Sequence, residues 1–416
     1  MTSPRDALAN QVEPDDQIVH EVTLRLSLKE AMEIFIRQNF DLLIARYGIE
    51  RAKGAKITAG LFPNPVLSTI KGAAFTQNQA FEDTQFITPI LEQTFLTAGK
   101  RGYRVESAGY GVRSAESDFA DSTRNLVLAV KDGYFRIQLA KQRLALALEN
   151  QSRFAKILKV NTIRFEKGFI AEVDLIRIRL QKVEFDTQVF RSIQEANSAR
   201  ADLRQLLGIS PMVNLVLTSA LEFTRIDPNV KELRQIALEN RPDVHSREYL
   251  VSQRRAEFKL SKALQYPDPT VGAGVTYQGP GGNANQQEYT LLFSIPLPIF
   301  DRNQGGMVQA EADVQAAETE LRKTQIQVAT EVDVAYRNLI ESRLLVEVFL
   351  EGPLNDARET LNIVERAYVR GGATIIELLD AARTSRAIQL NYYEALFNYQ
   401  KNVFLLENAV GREILI

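Results

Sequence analysis

The sequence has 416 residues, with 50 basic and 52 acidic side chains, so its net charge of −2 lacks the basic excess typical of nucleic-acid binding. It contains no Cys and only two His, His20 and His245, which excludes thiol catalysis, disulfide bonds and Cys/His zinc sites. No run of about 18 apolar residues occurs, so the sequence predicts no transmembrane helix.

Residues 1–26 are predicted to form an N-terminal extended segment. No apolar core follows the first six residues, so we expect no signal peptide within this chain. We interpret the chain as a mature or differently started form, because the strand and helix patterns described below are stronger evidence than the lack of a signal peptide.

Ser27 opens a predicted helix that runs to Ala59. Glu30 lies three residues after Ser27, which is the spacing of a capping box. Pro63 stops the helix, because proline cannot continue an α-helical hydrogen-bond ladder. Two strands, at about 66–75 and 84–94, are predicted next.

A very long helix is predicted at about 102–162. Its apolar residues recur every three, four or seven positions, which is the pattern of a coiled-coil seam. At 1.5 Å per residue such a helix is roughly 90 Å long. A tight turn and a shorter helix, 172–207, complete this half of the chain, and 209–229 is predicted to be a linker.

The second half has the same order of predicted elements: a helix at 230–264, strands at 270–277 and 288–297, a long helix at 306–365 and a helix at 374–410. In the strands, apolar residues alternate with small or polar ones. Such an alternation, with a period of two residues over about ten residues, is typical of a membrane-barrel strand with its apolar side toward lipid. Between these strands, Gly279 to Asn283 has turn chemistry.

Three motifs recur at an offset of 203 or 204 residues, which indicates an internal duplication. Pro63-Asn64-Pro65-Val66 corresponds to Pro267-Asp268-Pro269-Thr270, and Arg164-Phe165-Glu166-Lys167-Gly168 to Ala367-Tyr368-Val369-Arg370-Gly371. Leu206-Leu207-Gly208 corresponds to Ala409-Val410-Gly411. The predicted repeats are 27–208 and 230–416.

The predicted fold class is α+β, mainly α, with duplicated long coiled-coil helical hairpins and two β-hairpins per chain. Four strands cannot close a barrel, whereas three chains would supply twelve. Membrane insertion would therefore require oligomerisation.

From about Ser27 onward the chain resembles the TolC-type outer-membrane efflux family. The most specific stretches are Phe165 to Leu175 and Tyr368 to Asp380, in which a Gly precedes an acidic residue by six positions. The segment from Ile295 to Gly305 looks like that of the heavy-metal efflux subgroup.

The resemblance implies a homotrimer with a twelve-stranded β-barrel in outer-membrane lipid and a periplasmic α-helical tunnel. It implies as partners a periplasmic adaptor protein and an inner-membrane pump, with the RND type favoured. The expected function is a passive conduit for small solutes, heavy-metal cations among them. No cofactor, resident metal, nucleic-acid partner or catalytic residue is expected.

The candidate gate residues lie in and after the two turns. Glu377 and Asp380 are three apart on one helical face, and threefold repetition would form acidic rings that favour cations. The alternative is that Glu377 only caps its helix with Thr374. Asp174 is predicted to accept a hydrogen bond from Tyr368 or to pair with a basic residue such as Arg370, and the resemblance implies that such bonds between helices hold the tip shut.

Gly168, Gly371 and Gly372 are the candidate turn residues, and the turn they form is the expected docking point for an adaptor. A plain C-cap role for the glycines is the alternative. Another set of side chains is interpreted as solvated charges on helix faces: Arg177, Arg179, Arg383 and Arg386.

Three other functions remain open at this point. A type I secretion channel would use the same architecture, so the fold does not fix the cargo. A coiled-coil scaffold explains the heptads but not the strands, and a periplasmic adaptor would have one helical hairpin rather than two. An enzyme is disfavoured because no catalytic constellation is present.

Overall fold

The computed structural model describes residues 22–73, 85–278 and 288–413. In chain order the elements are β1 (Val22–Leu26), α1 (Leu28–Gln38), α2 (Phe40–Ala59), β2 (Val66–Ala73), β3 (Gln85–Thr94), α3 (Lys100–Glu166), α4 (Glu172–Leu207), β4 (Val213–Leu217), α5 (Val230–Asn240), α6 (Pro242–Ala263), β5 (Thr270–Gln278), β6 (Glu288–Ser294), α7 (Gln304–Leu350), α8 (Pro353–Val369) and α9 (Ile375–Val410). The predicted Gly279–Asn283 turn and the ends of the first strand pair lie outside the described residues.

Both predicted opening helices are divided in the structure, which corrects the sequence expectation. The first breaks at Asn39, whose Oδ1 accepts the Leu42 amide at 2.8 Å and whose Nδ2 donates to the Leu206 carbonyl at 2.7 Å. The second breaks at Arg241, because Pro242 lacks an amide hydrogen and takes the first position of α6.

The second long helix is also divided, whereas the first is continuous over 67 residues. The prediction of one continuous helix at 306–365 was wrong. α7 ends at Leu350, and α8 begins at Pro353 after Gly352. Proline inside a helix removes a hydrogen bond and clashes with the preceding turn, so the chain restarts a helix there instead.

The segment predicted as a linker contains a strand. β4 pairs in parallel with β1, with Val22 opposite Val213 and Leu26 opposite Leu217. Tyr134 of α3 is fully buried beside this sheet; its hydroxyl donates to the Leu26 carbonyl at 2.9 Å.

The chain divides into two compact units. Unit 1 comprises residues up to Ile44, Ser122–Asn240 and Val328 to the end, and unit 2 comprises Ala45–Asp121 and Arg241–Gln327. Within unit 1, α3, α4, α8 and α9 bury a common apolar cluster that includes Phe154, Phe185, Leu361 and Leu378. Phe154 and Phe185 stack with ring centroids 4.4 Å apart.

Unit 2 contains a four-stranded antiparallel sheet with the order β2-β3-β5-β6. The described parts of the strands agree with the alternating segments of the sequence, and β6 ends at Ser294, two residues before Pro296. At the end of the sheet, Lys100 forms an ion pair of 2.8 Å with Asp268, which also accepts the Thr97 amide at 2.8 Å.

Candidate functional site

One face of the four-stranded sheet is apolar and exposed. The cross-strand register places Leu67 opposite Leu91, Leu91 opposite Ala273, and Ala273 opposite Leu291, so these side chains share that face. Leu291 is 83% exposed and its neighbours on the strand, Tyr289 and Phe293, are also exposed. An exposed apolar surface of this kind marks contact with lipid or protein rather than water.

The opposite face of the sheet is polar and hydrogen-bonded across the strands. Thr88, Thr276 and Thr290 form a chain of hydroxyl contacts of 2.9 and 3.2 Å. Thr94 and Thr270 make another contact, at 2.9 Å. The two faces therefore differ in chemistry most clearly along β5 and β6, whereas in the first strand pair Ile90 lies on the polar face and Lys71 on the apolar one.

The sheet has two open edges, β2 and β6, because its order begins with one and ends with the other. Each edge offers backbone amide and carbonyl groups to a further strand. Among the described residues, no helix has the length and apolar character to cross a membrane.

Two glycine turns join the helices of unit 1. Gly168, between α3 and α4, has φ +74°, and Gly371, between α8 and α9, has φ +81°. Residues other than Gly rarely adopt this backbone region, so both positions favour Gly. Gly372 is not among the described residues with positive φ, so the backbone of this turn depends on Gly371 more than on Gly372.

A groove of about 870 Å³ lies beside these turns. It brings together three of the predicted gate residues, Asp174, Tyr368 and Arg370, with Gly371. Glu377, Asp380, Gly168 and Gly372 are not among its lining residues. Most of the charged side chains in the lining are basic: Arg164, Lys167, Arg177 and Arg370, with Asp174 as the acidic one.

Within the single chain, Asp174 pairs with a basic residue, as predicted, but with Arg177 rather than Arg370, and it does not accept the Tyr368 hydroxyl. The Tyr368 hydroxyl donates instead to Asn161 Oδ1 at 2.6 Å, and Asp174 lies 3.5 Å from Arg177. In the described part of the chain, no ion pair links Asp174 to Arg370. Asn161 and Tyr368 face each other across the buried contact of α3 and α8, whereas Arg370 is exposed in the turn.

Burial raises the pKa of the Tyr368 hydroxyl above its usual value, although Arg164 and Asn161 act in the opposite direction. Arg164 stacks 5.7 Å from the Tyr368 ring centroid and donates to the Val369 carbonyl at 2.6 Å. Tyr368 is therefore a neutral hydrogen-bond donor held at the end of α8. Asn161 and Arg164 were missed from the sequence because their polar partners are about 200 residues away.

Glu377 forms the predicted capping box. Its Oε2 accepts the Thr374 amide at 2.6 Å, and the Thr374 hydroxyl accepts the Glu377 amide at 3.3 Å. The backbone hydrogen bond from Thr374, followed by the one from its hydroxyl, lowers the pKa of Glu377. Asp380 is exposed one turn further along α9. Both carboxylates are thus accessible, and the capping role of Glu377 is present.

Two arginines interpreted as solvated charges, Arg383 and Arg386, link α4 to α9, although the Arg383 side chain is also 60% exposed. Arg386 pairs with Glu184 at 3.1 Å and stacks 5.6 Å from the Phe185 ring centroid. Arg383 donates to Gln181 Oε1 at 2.9 Å. A third contact joins α3 to α8, where Arg153 pairs with Glu365 at 2.6 Å and also donates to Asn362. These contacts hold the two helical hairpins of unit 1 together.

No group of three or more His, Asp or Glu side chains in the described residues is placed to hold a metal ion. The arrangement of unit 1 is thus one of helix contacts and an open groove, and that of unit 2 is a two-faced sheet. Both suit surfaces that bind or pass a solute.

Residues 59–209 and 233–412 match the model of the outer membrane efflux protein family. The match covers most of the chain, which therefore belongs to this family. Members of the family are outer-membrane efflux channels rather than enzymes, and this supports an outer-membrane location for the chain.

The relatives of this chain include metal-resistance proteins. The cobalt-zinc-cadmium resistance protein CzcC of Cupriavidus metallidurans is 24% identical over 93% of this chain and 90% of its own length. The outer membrane protein TolC of Salmonella enteritidis is 23% identical over 82% of this chain and 73% of its own length. A solved structure of CusC has a TM-score of 0.78 at 20% identity and covers 92% of both chains. The resemblance predicted from the two turns is confirmed.

Proposed function

We propose that this chain is the outer-membrane subunit of a tripartite efflux system, in which a homotrimer passes small solutes from a pump and the periplasm to the exterior. The observation that carries the proposal is the four-stranded sheet with one exposed apolar face, one hydrogen-bonded polar face and two open edges. The apolar face would contact lipid and the polar face would line a water-filled channel.

The open edges give the reason for a trimer. Backbone amide and carbonyl groups that lack partners cost several kcal/mol each in hydrocarbon, so an open sheet cannot remain in a bilayer. When β6 of one chain pairs with β2 of the next, three chains close a barrel of twelve strands without edges. The long helices that leave the same strands would then extend into the periplasm as a tunnel.

Metal cations are the proposed cargo because CzcC, which matches nearly the whole chain, is named for cobalt, zinc and cadmium resistance. The exposed carboxylates of Glu377 and Asp380, repeated by threefold symmetry, would form acidic rings that attract cations without holding them. A conduit needs such weak sites, because tight ligands would retain the ion.

The groove beside the glycine turns is the proposed gate. Opening would separate the helical hairpins where Tyr368, Asp174 and Arg370 line the groove. The turns at Gly168 and at Gly371–Gly372 would dock the periplasmic adaptor, and an RND pump would supply the solute. Because the pump supplies the driving force, the channel itself needs no catalytic residue.

The test is conductance of the purified protein in a planar bilayer. We expect a small cation-selective conductance, and we expect Glu377→Ala/Asp380→Ala to lose selectivity for cations. The control Asp202→Ala/Glu232→Ala removes two exposed carboxylates at other places in unit 1 and should keep the selectivity. A wild-type protein that never inserts and sediments as a soluble species would overturn the proposal.

A further inference from the structure

α4 carries an apolar stripe that remains exposed in the part of the chain that the structure describes. Four of its residues are spaced by three, four and three positions, which is the spacing of a coiled-coil seam: Val173, Ile176, Leu180 and Val183. All four are substantially exposed, Leu180 at 66% and Val183 at 61%. Since such a seam is stable only when another helix covers it, the stripe requires an occupant.

The internal repeat predicts what that occupant is. Adding 203 to a residue number in the first turn gives its equivalent in the second, as with Gly168 and Gly371. We call residues 27–208 repeat 1 and residues 230–416 repeat 2. In a closed ring of duplicated chains, repeat 1 meets repeat 2 once within a chain and once between neighbouring chains. The two contacts are equivalent, so each contact observed within the chain predicts a pair of residues between chains.

The contact between α4 and α9 translates into an apolar one. Within the chain, Arg383 meets Gln181 and Arg386 meets Glu184. The equivalent residues of the interchain contact are Leu180 with Thr384 and Val183 with Ala387. Where the chain pairs arginine with a polar acceptor, the predicted interface thus pairs an exposed apolar side chain with a smaller exposed one.

The contact between α3 and α8 translates into an ion pair with exchanged charges. Within the chain, Arg153 meets Asn362 and Glu365. The equivalent of Arg153 is Asp356, and the equivalent of Asn362 is Lys159. Both Asp356 and Lys159 are exposed in the single chain. The basic Arg153 is thus replaced by the acidic Asp356, and the neutral Asn362 by the basic Lys159, whereas the equivalent of Glu365 is Thr162.

A third contact changes in the same manner. The Tyr368–Asn161 hydrogen bond is equivalent to Phe165 with Val364. A polar pair becomes an apolar pair, with both members changed together. In all three contacts both partners change compatibly between the repeats. Random divergence would often change one partner alone, which would leave an unpaired charge or a buried polar group.

We infer that the α4 stripe and Lys159 dock on α9 and α8 of a second copy of this chain, with Lys159–Asp356 as the intersubunit ion pair. The inference rests on the proposed homotrimer and specifies its interface in unit 1. The side-chain contacts compared within each chain are polar, and their equivalents between chains are mainly apolar. Repeat 2 of a chain therefore distinguishes its own repeat 1 from that of its neighbour.

The chain has no native Cys, so a pair of introduced thiols reports this contact directly. The full-length variant Lys159→Cys/Asp356→Cys is purified in detergent and treated with a short bis-maleimide, since a Lys–Asp contact separates the backbones further than the ~7 Å that a disulfide bridges. We expect covalent dimers and trimers on denaturing gels, at least tenfold above the control Lys141→Cys/Asp356→Cys. Lys141 is exposed on the same helix but lies about 27 Å from Lys159 along it.

Native mass spectrometry of the same samples separates the two proposals. A trimer that gives no cross-linking above the control overturns the interface and leaves the proposed function standing. A protein that remains monomeric in both assays overturns the homotrimer and the interface together. As a second measurement, Lys159→Asp and Asp356→Lys should each lower the temperature at which the trimer dissociates, and their combination should restore it. A combined variant less stable than either single one contradicts the ion pair.

Discussion

The Tyr368–Asn161 hydrogen bond is a buried polar contact whose two partners are separable by mutation. Tyr368→Phe leaves Asn161 Oδ1 buried without its 2.6 Å donor, so we expect the free energy of unfolding to fall by about 1–3 kcal/mol. Tyr368→Phe/Asn161→Leu removes both polar groups and should recover most of this loss. Urea unfolding followed by circular dichroism measures both variants, and equal destabilisation of the single and double variants would contradict the contact.

The carboxylate of Glu377 predicts a pH dependence. Hydrogen bonds from Thr374 lower its pKa, so the ionised form is favoured in the folded state. Such a group stabilises the fold above its unfolded pKa of about 4.3 and loses that contribution as the pH falls through the folded pKa. Glu377→Gln should therefore lower the melting temperature at pH 7, and the difference from wild type should shrink as the pH falls below about 4.

Asp380→Asn is the matched control for that measurement, because Asp380 is exposed on the same helix and is not part of the capping box. Its melting temperature at pH 7 should equal that of the wild type, since the substitution leaves the cap intact. A Glu377→Gln difference that stays constant from pH 7 to pH 3 would show that the carboxylate charge does not contribute through the cap.

The glycine turns predict an order of sensitivity at the scale of elements. Gly371→Ala forces Ala into a left-handed conformation, which costs about 1–2 kcal/mol, whereas Gly372→Ala meets only an ordinary contact of 3.6 Å with the Ala367 carbonyl. Gly208→Ala should be the most costly of the three, since its Cβ would also lie 2.7 Å from the Gln38 carbonyl oxygen. Thermal unfolding ranks these variants, and a Gly372→Ala variant as unstable as Gly371→Ala would contradict the assignment.

The sequence predicts the elements where local signals agree and misses them where long-range contacts decide. The capping boxes at Ser27 and Thr374 and the alternation of β6 are local, and the structure contains all three. The β1–β4 pairing was missed because its partners are about 190 residues apart and each strand has only five residues. The division at Gly352–Pro353 was missed because apolar residues at helical spacing, such as Val346, Leu354 and Leu361, continue on both sides of it.

In the candidate site, too, local features were predictable from the sequence and long-range contacts were not. Gly168 and Gly371 are predictable, because a positive φ is a property of one residue that Gly alone meets easily. The partner of Tyr368 is not, since Asp174 and Asn161 are both polar acceptors near the turn and only packing places Asn161 opposite the hydroxyl. The arginine contacts of α4 and α9 depend on how two hairpins are rotated, which helical periodicity does not specify.

For the whole molecule, the two faces of the sheet predict opposite effects of the same substitution at adjacent positions. Leu291 lies on the exposed apolar face, and Leu292 points to the polar face opposite Gly272. A lysine on a lipid-facing position costs about 2–4 kcal/mol near the bilayer midplane, whereas one facing a channel remains hydrated.

We therefore expect Leu291→Lys to reduce insertion into liposomes severalfold and Leu292→Lys to insert nearly as wild type. Protease protection of the inserted fraction measures this, and circular dichroism of both variants in detergent confirms that the helices are retained. Because three copies would carry the substitution, the penalty at Leu291 is incurred three times per assembly, which sharpens the contrast. Equal insertion of the two variants would mean that the apolar face does not contact lipid, and the exposed side chains would then have to be covered by protein.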